Sequence, residues 1–282
     1  GKLEDWLWEG LTDPYAGCSM AITAENCAVK YGITREDTDR FGLRSQQNAA
    51  RAWAEKRYER EVIPIVAPVV DAEGKPTGEA VTVTRDEGLR ETSLEKLGAL
   101  KAVVEGGIHT AGTSSQVTDG ASAVLLASEN WARTRGLPIL GWLSFGKAWA
   151  VDFERGSEGL LMAPAYAVPA MLADAKLSLQ DFDYYEIHEA FAAQVLCTLA
   201  AWESAQFCRE RLGLDAALGS IERTRLNVRG SSLAIGHPFA ATGARILATL
   251  AKLLSQDGAA RRGLISVCTA GGMGVTAILE RA

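Results

Sequence analysis

Three side chains in this sequence could do chemistry together. His237 sits in the run 236–245, Gly-His-Pro-Phe-Ala-Ala-Thr-Gly-Ala-Arg. Cys268 opens the run 268–274, Cys-Thr-Ala-Gly-Gly-Met-Gly. His188 is followed by Glu189, Ala190 and Phe191. A thiol whose pKa is near 8.5 can be tuned to give or take a proton, and an imidazole can polarise or activate. Glycines beside them let a substrate approach bare backbone. Such a set suits acyl chemistry. A bland alternative for His237 is a helix-cap histidine beside a proline, and Gly271, Gly272 and Gly274 could simply make a tight turn. His188, Glu189, His237 and Cys268 are also zinc-compatible types, but no CxxC or HxxxH pair accompanies them, so no metal is expected. The third histidine, His109, lies in no motif and reads as structural or exposed.

The elements that must position these groups follow from periodicity and caps. Residues 18–31 place Met20, Ala24, Cys27, Ala28 and Tyr31 on one helical face, with Gly32 as a stop. Thr34 and Asp37 read as a cap and its acidic partner, opening a helix to about Tyr58. Strands are expected at 61–70 and 80–84 around a turn at 71–78, then a helix at 91–104. Ala121 to Ala127 suits a short buried strand, with a helix from Glu129 to Arg135. Further on, strands are expected at 139–149, 184–187, 264–268 and 275–279, the last two forming a hairpin-like pair across the glycines. Helices are expected at 164–175, along Phe191, Val195, Leu199 and Trp202, and along Ile246 to Leu254, with Pro238 in its first turn. His188 and His237 therefore stand at strand-to-helix boundaries, the rim where α/β proteins gather functional groups. Strand-helix alternation predicts an α/β fold with a layered sheet.

Composition narrows the classes. The chain has 282 residues, long enough for two domains. Apolar residues make up 48% and charged residues 23%, ordinary for a globular protein. A net charge of −6 offers no broad attraction to nucleic acid or an anionic membrane. No apolar run is long enough to predict a membrane span, and no signal peptide opens the sequence. The cysteines are Cys18, Cys27, Cys197, Cys208 and Cys268, an odd and scattered set. They predict no disulfide framework and a reducing compartment: cytoplasm, or the mitochondrial or peroxisomal matrix in a eukaryote.

The motifs at His188, His237 and Cys268 closely resemble the C-terminal half of thiolases. Other patches agree in order: 10–14 (Gly-Leu-Thr-Asp-Pro), 20–26 (Met-Ala-Ile-Thr-Ala-Glu-Asn), 110–115 (Thr-Ala-Gly-Thr-Ser-Ser) and 118–121 (Thr-Asp-Gly-Ala). The sequence around the histidines is most similar to the trifunctional-complex β-subunit type, with His-Glu-Ala-Phe where many thiolases carry Asn-Glu-Ala-Phe. The resemblance implies a loop domain of α+β type at 1–117 and a strand-helix piece at 118–136 that returns to the N-terminal half. It also implies a layered α/β/α C-terminal domain at 137–282. No segment resembles the one bearing the cysteine that becomes acylated, so the chain reads as a fragment, inactive alone.

The resemblance further implies thiolytic cleavage of 3-ketoacyl-CoA, or the reverse Claisen condensation, in fatty-acid β-oxidation. His237 would activate the acyl-accepting cysteine, and Cys268 would move the proton at the α-carbon. His237 and a water held by His188 would form one oxyanion hole, and the backbone near Ala270 and Gly271 the other. Ser115 would lie near the pantetheine, Met20 would line the acyl tunnel, and Arg85 would meet the nucleotide end. Coenzyme A enters as substrate and no cofactor is bound covalently. Expected partners are CoA thioesters, a homodimer or tetramer, and a hydratase/dehydrogenase α-subunit. Thr113, Arg229-Gly230-Ser231 and Ser19 depart from common family residues, which bears on chain-length preference. Two other classes stay open: a CoA- or lipid-binding relative without the nucleophile, and a ketoacyl synthase, against which Cys268 argues.

Overall fold

The computed structural model describes residues 4–59, 61–156 and 158–282. In chain order, α1 (Trp6–Gly10), β1 (Thr12–Asp13) and β2 (Cys18–Ser19) lead into α2 (Met20–Tyr31) and α3 (Arg35–Ala54). A two-stranded ribbon follows, β3 (Ile65–Val70) and β4 (Pro76–Val83), then the short α4 (Leu94–Gly98) and α5 (Glu129–Thr134). The remainder comprises β5 (Gly141–Ala150), α6 (Ala163–Ala175), β6 (Tyr184–Ile187), α7 (Ala192–Glu203) and α8 (Ala205–Leu212). It closes with α9 (Ser232–Ile235), α10 (Phe239–Gln256), β7 (Arg262–Cys268) and β8 (Met273–Arg281). No helix among the described residues is long and apolar enough to cross a membrane.

Local chemistry sets the helix ends. Gly32 closes α2 in the left-handed conformation. Thr34 and Asp37 form the expected reciprocal capping box of α3. That helix stops at Ala54, short of Tyr58, because Lys56 turns left-handed. The helix expected at 91–104 is only α4. Arg35 donates from one terminal nitrogen to the carbonyls of Leu97 (2.8 Å) and Leu100 (3.0 Å), so these acceptors leave the helical ladder.

Four strands make one sheet in the order β5-β8-β7-β6. β8 runs antiparallel to both β5 and β7, and β6 runs parallel to β7. Alternate residues of these strands point to opposite faces. Tyr185, Ile187, Leu264 and Ile278 pack with Val168, Met171 and Leu172 of α6 and Val195, Leu199 and Trp202 of α7. Ile265, Ala277 and Leu279 pack with Ile246, Leu250 and Leu254 of α10 on the other face. The result is the expected α/β/α layering, with α3 reaching the first layer through Phe41.

One expected element is absent. Residues 121–127 form neither strand nor helix, and Leu125 and Leu126 are 71% and 63% exposed. An apolar run becomes a strand only where a sheet edge supplies backbone partners and a face to bury it, and among the described residues this segment has no strand partner.

The N-terminal elements are tied to the sheet layer by a buried ion pair. Arg229 Nη1 donates to Glu61 Oε1 at 2.5 Å, its Nη2 donates to Gln256, and Tyr58 Oη donates to the Arg229 carbonyl. Removing one partner strands the other charge, so Arg229→Ala should lower unfolding stability by about 3–5 kcal/mol in urea titrations. The double change Glu61→Leu, Arg229→Met should recover most of it. A single variant within about 1 kcal/mol of the unmodified protein would show the pair is solvated.

Candidate active site

β6 and β7 lie side by side and parallel, so their C-terminal ends meet. His188 is the first residue past β6, and its N–H donates to the Ser266 carbonyl at 2.8 Å. Cys268 is the last residue of β7. This places Cys268 Sγ 3.5 Å from His188 Nδ1, with both side chains buried. His188 Nε2 is buried and has no protein hydrogen-bond partner among the described residues.

His237 arrives from α9. Gly236 takes φ +90° and passes Thr118 so closely that a Cβ would meet Oγ1 at 2.6 Å, so only glycine fits there. The His237 ring centroid then stands 4.3 Å from that of His188, tilted by 50°. Its Nδ1 is 2.6 Å from Thr242 Oγ1, in the first turn of α10. This contact engages one of the two ring nitrogens. Pro238 is the N-cap of α10 rather than part of its first turn.

The segment at 113–116 fastens both histidine loops. Ala192 N–H donates to the Thr113 carbonyl (2.9 Å) and Ser115 N–H to the Ala190 carbonyl (2.9 Å). One residue on, the Gln116 carbonyl accepts from His237 N–H (3.0 Å). Glu189 faces away from His188. Its carboxylate accepts from Ser45 Oγ (2.6 Å), Asn227 Nδ2 (2.7 Å) and Leu233 N–H (3.3 Å). Asn227 also receives the Ile187 N–H and donates to the Ile187 carbonyl, standing in for a neighbouring strand. Glu189 thus joins α3, the 227 turn and α9 behind the site.

Burial dominates the electrostatics. It pushes the Cys268 thiol up to about 12. It drives His188 well below its usual value, with His237 and Arg245 adding to the shift. It lowers His237 to about 4, again helped by Arg245. At neutral pH the site therefore holds two uncharged imidazoles and a protonated thiol. Neutral imidazoles can accept or donate a hydrogen bond without carrying charge, and the thiol is an acid with its proton in place.

Other residues singled out in the sequence divide. Ala270 and Gly271 sit in the turn after Cys268, closed by Thr269 N–H on the Met273 carbonyl. Gly271 and Gly272 are both left-handed, and a Cβ on Gly272 would meet Phe153 at 2.4 Å. Met20 is buried with Ala24, Cys27, Leu160 and Met162, and Phe191 packs on that cluster. Arg85 stands over the Trp53 ring at 5.6 Å. His109 is fully buried, 3.0 Å from Glu25 Oε1 and edge-on to Phe191, so it is structural and not exposed. Thr242, Gln116, Asn227, Ser45 and Arg245 were not legible as site residues. Only Thr242, one turn into the helix after His237, carried a usable signal. All five cysteines are free, and the described residues contain no cluster of three or more His, Cys, Asp or Glu able to hold a metal.

Comparison with known proteins agrees with this geometry. The family model "Thiolase, N-terminal domain" matches residues 1–130, and "Thiolase, C-terminal domain" matches residues 147–281. The chain is 41% identical over 263 residues to the peroxisomal 3-ketoacyl-CoA thiolase B of Rattus norvegicus, covering 93% of this chain and 57% of that protein. The human peroxisomal 3-ketoacyl-CoA thiolase gives the same identity and coverage. The chain thus spans little more than half the length of the curated relatives it matches. Among solved structures, the human mitochondrial 3-ketoacyl-CoA thiolase in complex with CoA superposes with a TM-score of 0.81 at 34% identity, over 100% of this chain and 63% of that one. The Bacillus anthracis acetyl-CoA acetyltransferase superposes at 0.84 and 33% identity, over 100% of this chain and 65% of that one. Sequence, layered fold and the meeting of His188, His237 and Cys268 lead to one family: the chain belongs to the thiolases.

Proposed function

We propose that this chain carries the proton-transfer and oxyanion-binding half of a CoA-dependent thiolase active site. The reaction is thiolytic cleavage of 3-ketoacyl-CoA in fatty-acid β-oxidation, or the reverse Claisen condensation. The carrying observation is the contact of Cys268 Sγ with His188 and the tilted packing of the His188 ring against His237. In cleavage, the Cys268 thiol gives its proton to the departing acetyl-CoA carbanion. In condensation the Cys268 proton first leaves with the departing CoA thiolate, and the Cys268 thiolate so formed takes a proton from the α-carbon. His237, uncharged, receives the proton of the acyl-accepting cysteine. His188 Nε2 holds a water toward the enolate oxygen, and the backbone of the 269–272 turn serves the second oxyanion.

The domain reading has residues 1–117 as the substrate-side loop domain, 118–136 as a connecting piece and 137–282 as the C-terminal domain. CoA thioesters are the substrates, with Ser115 and Met20 on the pantetheine and acyl side and Arg85 toward the nucleotide. The assembly is a homodimer or tetramer, with a hydratase/dehydrogenase subunit as a further partner. The compartment is a reducing one, peroxisomal or mitochondrial in a eukaryote and cytoplasmic in a bacterium.

The acyl-accepting cysteine is assigned outside these residues. Cys27 and Cys197 are buried in the Met20 cluster. Cys208 Sγ lies against the Ala201 and Trp202 carbonyls, and Cys18 is beside Thr23. The test is loss of 3-ketoacyl-CoA on adding CoA. The natural protein should turn over, and the 282-residue chain expressed by itself should not. A non-catalytic CoA binder would show binding without turnover in the natural protein. Normal turnover by the chain alone would overturn the assignment of the nucleophile.

A further inference from the structure

Glu186 is a buried carboxyl for which the chemistry above has no use. It is 0% exposed, and neither oxygen has a hydrogen-bond partner among the described residues. Leaving such a group unpaired is costly. Its face of β6 is known: Tyr184 packs with the α10 cluster, Tyr185 and Ile187 with the opposite layer. Strand alternation therefore turns Glu186 toward α10. Its neighbour across the parallel pair, Ile265, also packs in the α10 layer.

Arg245 lies on α10 with a matching deficit. Its Nη2 donates to Ser231 Oγ and Ser232 Oγ, both at 3.2 Å, while its Nη1 is buried without a partner. Ser231 and Ser232 begin α9, which ends one residue before Gly236 and His237. Thr242, which holds the His237 ring, is on α10 with Arg245. One guanidinium thus ties the two elements that flank His237.

We propose that a buried water joins Glu186 to Arg245 Nη1 across the layer between β6 and α10, where the two make no direct hydrogen bond, and that Glu186 is a positioning residue for His237. A guanidinium is a rigid plane, so fixing one terminal nitrogen fixes the other. With Nη1 held, Nη2 stays on the serines and the His237 loop keeps its place. The charged groups around Glu186 are Arg245, then Glu189, Arg229 and Glu61, with Arg44 on α3 also in range. Burial raises the carboxyl to about 8 and Arg245 most strongly opposes that rise.

The activity readout rests on the thiolase reading, so the experiment has a second arm that does not. In the natural protein, Glu186→Leu should lower kcat on the order of 10- to 100-fold, the scale of a small misplacement of a reacting group. KM should stay within about threefold. Glu186→Gln, which can still accept from the bridging water, should keep at least about a third of kcat. By NMR at pH 7, the His237 ring resonances should move in Glu186→Leu and stay in Glu186→Gln. Near-normal kcat in Glu186→Leu, a Gln variant as impaired as the Leu variant, or unmoved ring resonances would each overturn the proposal. If Glu186→Leu does not fold, Arg245→Lys takes its place, since lysine keeps the charge but cannot hold both partners. Absence of turnover in the unmodified protein would instead sink the thiolase reading, and the ring resonances would still decide the role of Glu186.

Discussion

Cys268→Ala in the natural protein should still accept an acyl group from acyl-CoA, yet neither make nor break the carbon–carbon bond. The expected loss is about 10²–10⁴-fold, the range of a positioned general acid or base. Cys268 is unsuited to attack as it stands. Its thiol is buried and pushed up to about 12, so almost none is thiolate at neutral pH, and thiolate is the nucleophilic form. The same burial suits a proton donor, which must keep its proton until a carbanion appears beside it. Two measurements separate the roles. Covalent labelling by a radioactive acyl-CoA should persist in Cys268→Ala. Exchange of deuterium from the methyl group of labelled acetyl-CoA should disappear. Lost labelling with intact exchange would reverse the assignment.

The second large effect is expected at His188. His188→Ala should lose on the order of 100-fold or more in kcat, the scale of removing one oxyanion-hole support. His188→Asn should keep measurable activity, because an amide can hold the same water. The structure adds a pH condition. Burial, the neighbouring His237 and Arg245 together hold the His188 pKa well below its usual value. The ring therefore does not titrate near neutrality, and His188→Asn should leave the activity profile between about pH 6 and 8 unchanged in shape. Stability runs the same way. Both histidines bind protons less readily folded than unfolded, so their contribution is present above the unfolded pKa of about 6.5 and is lost as pH falls toward the folded values. The unfolding midpoint should drop between pH 6.5 and 4, and less steeply in His188→Asn. Near-normal turnover by His188→Ala would make the residue a packing side chain.

Several features follow from short-range rules and were legible in the residues. The Thr34–Asp37 box, the Gly32 stop and the pairing of β7 with β8 depend on neighbours a few positions apart. The resemblance to thiolases depends on ordered motifs, and those motifs carried His188, His237 and Cys268 together. What failed did so for long-range reasons. The 121–127 run is apolar enough for a strand, but a strand is a relation between two segments, and none among the described residues pairs with it. The helix expected at 91–104 ends at Gly98 because Arg35, far away in the chain, takes its carbonyls.

The same division runs through the site. Residue type alone determined which groups could exchange protons, and local glycine and proline patterns determined that they sit on turns at strand ends. Tertiary structure decided their state. Nothing in the order His188-Glu189 says that Glu189 turns to Ser45 and Asn227, leaving His188 to be shifted by burial, His237 and Arg245. A pKa is set by what surrounds a group in space, including the water excluded from it. Those surroundings come from α3, α9, α10 and the 113–116 segment, which only folding brings together around one pair of strand ends.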